Sequence, residues 1–450
     1  MTLPADLQLA VVVVVFAVVI LVIALDLLDL VVAAMLGVII FAGIGVLTGP
    51  DILKAMESGG GTLALLFGGM VVARVLVPTG LFELLGIRLV RFSRGSGKRL
   101  ALGLVILVTP LCAVLPNATV VLLMAPVLIG AARTLDIDFV PLLIAFVTIS
   151  NAAGLLTLVG DPATYIVGSS IHLSFGGYLR YVSLGGLLAV LCVVLLMPWL
   201  LREVWATQRS PSAEPEGVRL RHPGFVAATV AVLALMVILF VCGESLPVRQ
   251  GAPAVAILAA TLALLALYRW RIEPVEKVLS DVDWRTLIFI FCMLLMVQSL
   301  VKTGALTAVT AAMERIFGDN LLAAALALLT GVGLASSLLA NTPVVLALVV
   351  VTKGYFVGID MVPEEAMGSA FSDWPPQALP VFVAMMFGAT LGGNATLIGA
   401  TANIVASGIS ARHGTPISFG RFLRVGAPIA IAQIAVSAIY VAGLWLVLRT

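Results

Sequence analysis

Four short stretches of this 450-residue chain place amides and hydroxyls where the surrounding sequence is apolar. Two are centred on an asparagine, Pro116-Asn117-Ala118-Thr119 and Ala340-Asn341-Thr342-Pro343. The other two are longer. One runs from Ser150-Asn151-Ala152-Ala153-Gly154 through Thr157 to Gly160-Asp161-Pro162-Ala163-Thr164. The other runs from Gly392-Gly393-Asn394-Ala395-Thr396 to Gly399-Ala400-Thr401-Ala402-Asn403. Asn and Thr supply neutral donors and acceptors, while Gly and Pro let a helix unwind. A freed carbonyl can hold a small cation, and a helix N-terminus favours anions or polar oxygens. The candidate binding residues are therefore Asn117, Thr119, Ser150, Asn151, Thr157, Asp161, Thr164, Asn341, Thr342, Asn394, Thr396, Thr401 and Asn403. Gly160 and Gly399 are the structural glycines at the breaks. Asp161 is the one acid in these motifs, and a carboxylate in an apolar segment is a functional hypothesis by default. It is expected to carry a proton or help bind a coupling cation, with capping of the helix that starts at Pro162 as the structural alternative. No Lys or Arg lies within the four motifs, so the site has no strong fixed positive charge.

Other chemistry is thin. Gly95-Ser96-Gly97-Lys98 resembles a fragment of a P-loop, but Arg99 stands at the Ser/Thr position, and without a preceding strand the segment reads as a basic loop. There is no H-E-x-x-H motif and no nucleophile elbow, so no enzyme, metal or cofactor is expected. Cys112, Cys192, Cys242 and Cys292 all lie in apolar stretches and are read as small buried hydrophobes. His172, His222 and His413 are read as solvated. Arg74, inside an apolar run, is expected to pair with Asp26 or Asp29.

The elements that must position these groups are membrane helices. Of the residues 62% are apolar and only 11% charged, against roughly 45–50% and about 25% in soluble domains. A water-soluble enzyme is excluded, and 25 basic against 23 acidic residues, net +2, leave no basic face for nucleic acid. The long continuous apolar runs also exclude a β-barrel. The N-terminus has no basic stretch before its first apolar run, which argues for a retained helix. Clean spans read as 8–25, 30–47, 62–85, 178–200, 225–243, 252–270, 284–302 and 425–448. The segments 139–170 and 378–410 are interrupted spans, and 100–135 and 320–359 are re-entrant hairpins turning at Asn117 and Asn341. With the N-terminus outside, 17 of the 25 basic residues fall on the cytoplasmic side and 7 outside, as the positive-inside rule requires. The localisation expected is a bacterial inner membrane.

The halves resemble each other. Thr79-Gly80 and Asn117 recur 224 residues on as Thr303-Gly304 and Asn341, with Leu115, Val120, Val121 and Leu122 in register. Thr157-Leu158-Val159-Gly160 recurs 239 residues on as Thr396-Leu397-Ile398-Gly399. The fold expected is an all-α polytopic membrane protein of two inverted repeats of five transmembrane helices, each with a re-entrant hairpin and a broken helix. The repeats occupy 1–201 and 224–450, joined by a Pro-, Ser- and charge-rich cytoplasmic linker at 202–223. Such repeats are the architecture of secondary transporters, with the site at the midplane between copies.

Gly393-Asn394-Ala395-Thr396-Leu397-Ile398-Gly399-Ala400-Thr401-Ala402-Asn403, followed by His413-Gly414-Thr415-Pro416-Ile417-Ser418-Phe419, resembles the ion transporter superfamily. Its nearest branch holds arsenite-efflux pumps, the melanosomal P-protein and NhaD-type sodium/proton antiporters. Ser150-Asn151 through Gly160-Asp161-Pro162 is similar to the first-half copy of that motif, and Gly69-Met70 to Thr79-Gly80-Leu81-Phe82 to the third span. The resemblance implies a scaffold part and a transport part, a coupling proton or sodium, a homodimer as in elevator-type relatives, and association with an ATPase subunit as in efflux operons. Pro116 before the first tip Asn, and Ala163 with Thr164 after Asp161-Pro162, depart from the antiporter pattern. The function expected is ion-coupled alternating-access transport, foremost proton-coupled efflux of arsenite or antimonite. The alternatives are a sodium- or proton-coupled carrier of dicarboxylates or other anions, and a sodium/proton antiporter.

Overall fold

The computed structural model describes residues 4–24, 27–209, 222–243, 251–339, 341–368 and 371–449. Among them the chain is helical, with a single isolated bridge between Ser96 and Gln208. The first half runs α1 (Ala5–Ala24), α2 (Leu30–Gly43), α3 (Gly49–Leu76), α4 (Leu81–Ser93), α5 (Gly97–Cys112), α6 (Asn117–Thr134), α7 (Phe139–Gly154), α8 (Pro162–Ser170), α9 (Phe175–Tyr181), α10 (Ser183–Leu200) and the short α11 (Arg202–Ala206). The second runs α12 (Pro223–Cys242), α13 (Ala252–Trp270), α14 (Val275–Ser280), α15 (Trp284–Lys302), α16 (Thr307–Phe317), α17 (Leu321–Leu338), α18 (Asn341–Gly358), α19 (Leu379–Gly392), α20 (Thr401–Arg412) and α21 (Phe419–Leu448). Many starts are set by side chains that accept the orphaned first-turn amides. Asp29 accepts from Val31 and Val32, Asp138 from Val140, Asn320 from Ala323 and Ser418 from Arg421.

Eleven helices among the described residues are long and apolar enough to cross a membrane. They include α6, α17 and α18, the arms read from sequence as re-entrant hairpins; 18 residues at 1.5 Å each reach about 27 Å. The expected span 30–47 shortens to the 14-residue α2, because the chain turns out at the left-handed Gly45 (φ 75°). The expected span 62–85 divides in the same way at Gly80 (φ 73°), which separates α3 from α4.

Two groups of helices emerge from the packing. In one, α13 lies on α3 and α12, and α15 lies on α2 and α3. In the other, α19 lies on α17 and α21, α7 on α5, α6 and α10, and α20 on α6 and α7. Each group draws helices from both halves. The amphipathic α4 leaves α3 and packs on α5 and α6; α16 follows α15 and packs on α18, in the corresponding way. Every residue of α19 from Pro380 to Gly392 is buried, as a helix apolar on all sides must be when it forms the centre of a bundle. Large exposed side chains such as Leu195, Ile431 and Ile439 face outward, where lipid is the solvent.

Several sequence expectations are corrected here. Arg74 ion-pairs with Glu273 at 2.9 Å and Asp281 at 2.8 Å. The packing of α13 on α3 brings the α13–α14 turn alongside it, while Asp29 pairs with Arg285 and Asp26 lies outside the described residues. Cys112, Cys192 and Cys292 are buried, but Cys242, in the last turn of α12, is exposed. His172 and His222 are exposed, whereas His413 is half-buried with Nδ1 2.9 Å from the Ile409 carbonyl. Residues 210–221 of the linker and Arg249 lie outside the described residues.

Candidate functional site

The two interrupted helices break in the same way, atom for atom. Thr157 Oγ1 donates to the Ala113 carbonyl, and Thr396 Oγ1 donates to the Ser337 carbonyl. Gly160 N–H reaches Thr157 O at 3.4 Å and Gly399 N–H reaches Thr396 O at 3.4 Å. A Cβ on Gly160 would stand 2.6 Å from Gly154 O and 2.8 Å from Cys112 O. On Gly399 it would stand 2.6 Å from Gly393 O and 2.9 Å from Ser336 O. Every one of these partners is related by the same 224- or 239-residue spacing. Neither loop can carry a side chain there, because a carbonyl at the end of the preceding half-helix and one from the hairpin both press against the unwound backbone. The chain then extends through Asp161 (φ −137°, ψ 134°) or Ala400 (φ −143°, ψ 144°) and starts α8 or α20. The Thr-Gly turns match too: Gly80 and Gly304 take φ 73° and 72°, with Thr79 Oγ1 donating to Leu76 O and Thr303 Oγ1 to Ser299 O and Leu300 O.

Asp161 is buried, and its neighbours are neutral. Oδ2 accepts from Thr390 Oγ1 at 2.7 Å and from Thr164 Oγ1 at 3.4 Å, and Oδ1 accepts from Asn341 Nδ2 at 3.5 Å. No cation pairs with it among the described residues. The tip of the first hairpin lies alongside. The point where a Cβ on Gly154 would lie is 3.2 Å from Asp161 Cβ and 3.3 Å from Asn117 Oδ1. That Oδ1 is buried without a hydrogen-bond partner. The N-termini of α6, α8 and α18 thus meet around one carboxylate and one unused amide oxygen.

At the corresponding place in the second copy stands Ala400, and amides fill the space. Asn151 Nδ2 donates to Asn394 Oδ1 at 2.9 Å and Asn403 Oδ1 at 3.2 Å. Asn403 Nδ2 holds the unwound carbonyls of Gly393 and Thr396, both at 2.9 Å. Asn394 Nδ2 donates to Gln433 Oε1 at 2.8 Å, and Gln433 Nε2 donates to Ala189 O at 3.1 Å. Asn151 and Thr390 are 239 residues apart, as are Thr164 and Asn403. The image of the Asn151–Asn403 contact is therefore the Thr390–Thr164 pair, and both of those hydroxyls donate to Asp161 Oδ2.

Of the candidate residues, the structure brings together Asn117, Asp161, Thr164 and Asn341, and separately Asn151, Asn394 and Asn403. Thr342 Oγ1 lies 3.4 Å from Asn341 Oδ1 at the second tip. Thr157 and Thr396 secure the loops, and Ser150 Oγ lies 3.1 Å from Cys112 Sγ. Thr119 is half-buried and Thr401 is exposed, and neither is among the hydrogen-bond partners of Asp161. Two participants escape the motif reading. Thr390 is legible only as the repeat partner of Asn151. Gln433 is a lone amide in the long apolar α21, and that isolation is its signal.

A helical membrane bundle with broken helices around a buried carboxylate defines a membrane transporter. Residues 17–378 match the CitMHS family, described as citrate transporter, and the chain belongs to that family. This is the branch of the ion transporter superfamily that the sequence motifs resemble. A Synechocystis protein named as an uncharacterized transporter is 44% identical over 433 residues, 96% of each chain. One from Mycobacterium tuberculosis is 33% identical over 406 residues, 89% of this chain and 90% of that one. Human P protein is 27% identical across 84% of this chain and 53% of its own length. In fold, the chain is similar to the crystal structure of the Alcanivorax borkumensis YdaH transporter, described as having an unusual topology. The TM-score is 0.55 at 13% identity, over 87% of each chain. The protein is an integral membrane protein, and its bacterial relatives place it in the plasma membrane.

Proposed function

We propose that the protein is an ion-coupled secondary transporter working by alternating access, with Asp161 as the group that takes the coupling proton or sodium ion. The observation carrying this reading is the buried Asp161 carboxylate, held by hydroxyl and amide donors alone, beside the unpartnered Asn117 Oδ1. A cation or proton placed there would meet both an anionic and a neutral oxygen. The matched breaks at Gly160 and Gly399 support two copies of one unit, and in this reading the copies are inverted with the site between them.

The family's citrate description turns the solute choice towards carboxylates. The positive ends of α6, α8 and α18 favour negative charge, but an unneutralised Asp161 opposes it. Two like charges 4 Å apart repel by about 4 kcal/mol at an effective dielectric of 20. Solute anion and coupling cation must therefore load together, which is the logic of symport. Arsenous or antimonous acid is the second reading, favoured by the lack of Lys or Arg in the four motifs; an uncharged hydroxylated solute needs no fixed cation.

Proteoliposomes separate the two. With purified protein, labelled citrate and succinate should accumulate under an imposed proton or sodium gradient, and Asp161→Asn should abolish gradient-driven accumulation. Arsenite movement without carboxylate uptake would select the second reading. Accumulation with unchanged ion dependence in Asp161→Asn would reduce Asp161 to a helix cap.

A further inference from the structure

A basic patch lies apart from the transport site. Arg88, Arg91, Arg94, Lys98 and Arg99 are all exposed. None forms an ion pair among the described residues, and Lys98 lies over the Trp205 ring at 5.3 Å. Beside them α4 and α5 enclose an open groove of about 260 Å³. Its floor is Gly103, where a Cβ would lie 2.7 Å from Leu89 Cδ1 and 3.0 Å from Phe92 Cδ1. Its rim is Phe92 and Ile106, 55% and 70% exposed, with Leu107 on the wall and Arg88 lining the same groove.

We infer that this groove binds one anionic phospholipid of the inner leaflet, its acyl chain along Phe92, Ile106 and Leu107 and its phosphate on Arg88 and the neighbouring cations. The argument is charge complementarity joined to an apolar slot. A cluster of Lys and Arg beside membrane helices attracts anionic headgroups, and exposed apolar side chains supply a surface for the chain. A zwitterionic lipid satisfies the slot but brings no net negative charge to the five cations, where an anionic one does. The protein's own linker is the competing occupant, since it departs next to the patch with Arg209 N–H donating to Gly95 O at 2.9 Å. Residues 210–221 carry two Glu and two Arg, however, and offer no net complement. Because α4 runs from the α3 group to the α5–α6 hairpin, a lipid here sits at the joint between the two helix groups.

The test is native mass spectrometry of the full chain released from nanodiscs of phosphatidylcholine with phosphatidylglycerol, together with melting in each lipid alone. One phosphatidylglycerol should be retained several-fold over phosphatidylcholine, and the melting point should be higher in phosphatidylglycerol. Arg88→Gln with Arg91→Gln should remove the preference while leaving the phosphatidylcholine melting point in place. Leu107→Trp, which fills the slot without changing charge, should also displace the lipid, and it keeps the test open if the arginine pair fails to fold. Equal retention of the two lipids, or a preference unchanged in both variants, overturns the inference. A preference that rises when residues 210–221 are deleted would make the linker the occupant and overturn it as well.

Discussion

Asp161 and Ala400 occupy one place in two copies of the same loop, and only the first copy carries an ionisable group there. The scaffold of the loop needs no acid, because Ala400 keeps the same extended backbone and the same glycine packing. The Asp161 carboxylate, moreover, reaches beyond its own helix, accepting from Thr390 and Asn341. The glycines, by contrast, are sterically required. Gly160→Ala and Gly399→Ala should each destabilise the protein by about 1–3 kcal/mol, the usual cost of overpacking a filled core. The check is the detergent melting point, and an unchanged value in both variants would mean the facing carbonyls can move aside. Gln433→Leu removes the acceptor of Asn394 Nδ2 inside the bundle. Leaving a buried donor unmade costs about 1–3 kcal/mol, so its melting point should also fall, measured beside Gln433→Glu, which keeps an acceptor.

The helices connect these residues to stability through contacts that the sequence pattern does not reveal. The breaks were legible, since Gly, Pro, Asn and Thr inside apolar runs have no other easy explanation. Thr390 was missed, although the 239-residue spacing pairs it with Asn151. The partners of Arg74 were not legible, because they depend on α13 packing against α3, a contact between halves that no periodicity encodes. The helix lengths misled as well: α2 reads as a full span until Gly45 turns the chain. The Arg74 cluster yields a pH prediction. Burial works against the Glu273 charge, but hydrogen bonds from Lys277 and Arg74 outweigh it and hold the carboxyl below its usual range. A lowered folded-state value stabilises the protein above the unfolded value, about pH 4.3, and that stabilisation is lost as pH falls through the folded value. Wild type should melt above Glu273→Gln at neutral pH, and the gap should close on acidification below about pH 4. No gap at neutral pH would show that Arg74 draws its support from Asp281 alone, and a gap independent of pH that the Glu273 contribution is not one of charge.

At the scale of the molecule, the two helix groups meet where a tip of the site touches a helix of the other group. A Cβ on Gly69 of α3 would lie 3.2 Å from both Cγ and Cδ of Pro116, the residue before Asn117. If α2, α3, α13 and α15 hold still while the hairpins and broken helices carry the solute, that contact must open in every cycle. If the groups only rock about a shared axis through the tip, the contact persists. Gly69→Cys with Pro116→Cys, in a background where Cys112, Cys192, Cys242 and Cys292 are replaced, decides between them. A disulfide needs Cβ atoms about 3.5–4.5 Å apart, and the contacts here are to the ring Cγ and Cδ of Pro116, so closure of the bridge is first verified by the thiol count of the oxidised protein. Oxidation should stop solute accumulation in proteoliposomes and a reductant should restore it, with the two single-cysteine variants indifferent to both treatments. Full transport through the closed bridge would show that the tip does not slide past α3. Asp161 would then reach the two faces of the membrane by a gate opening beside it.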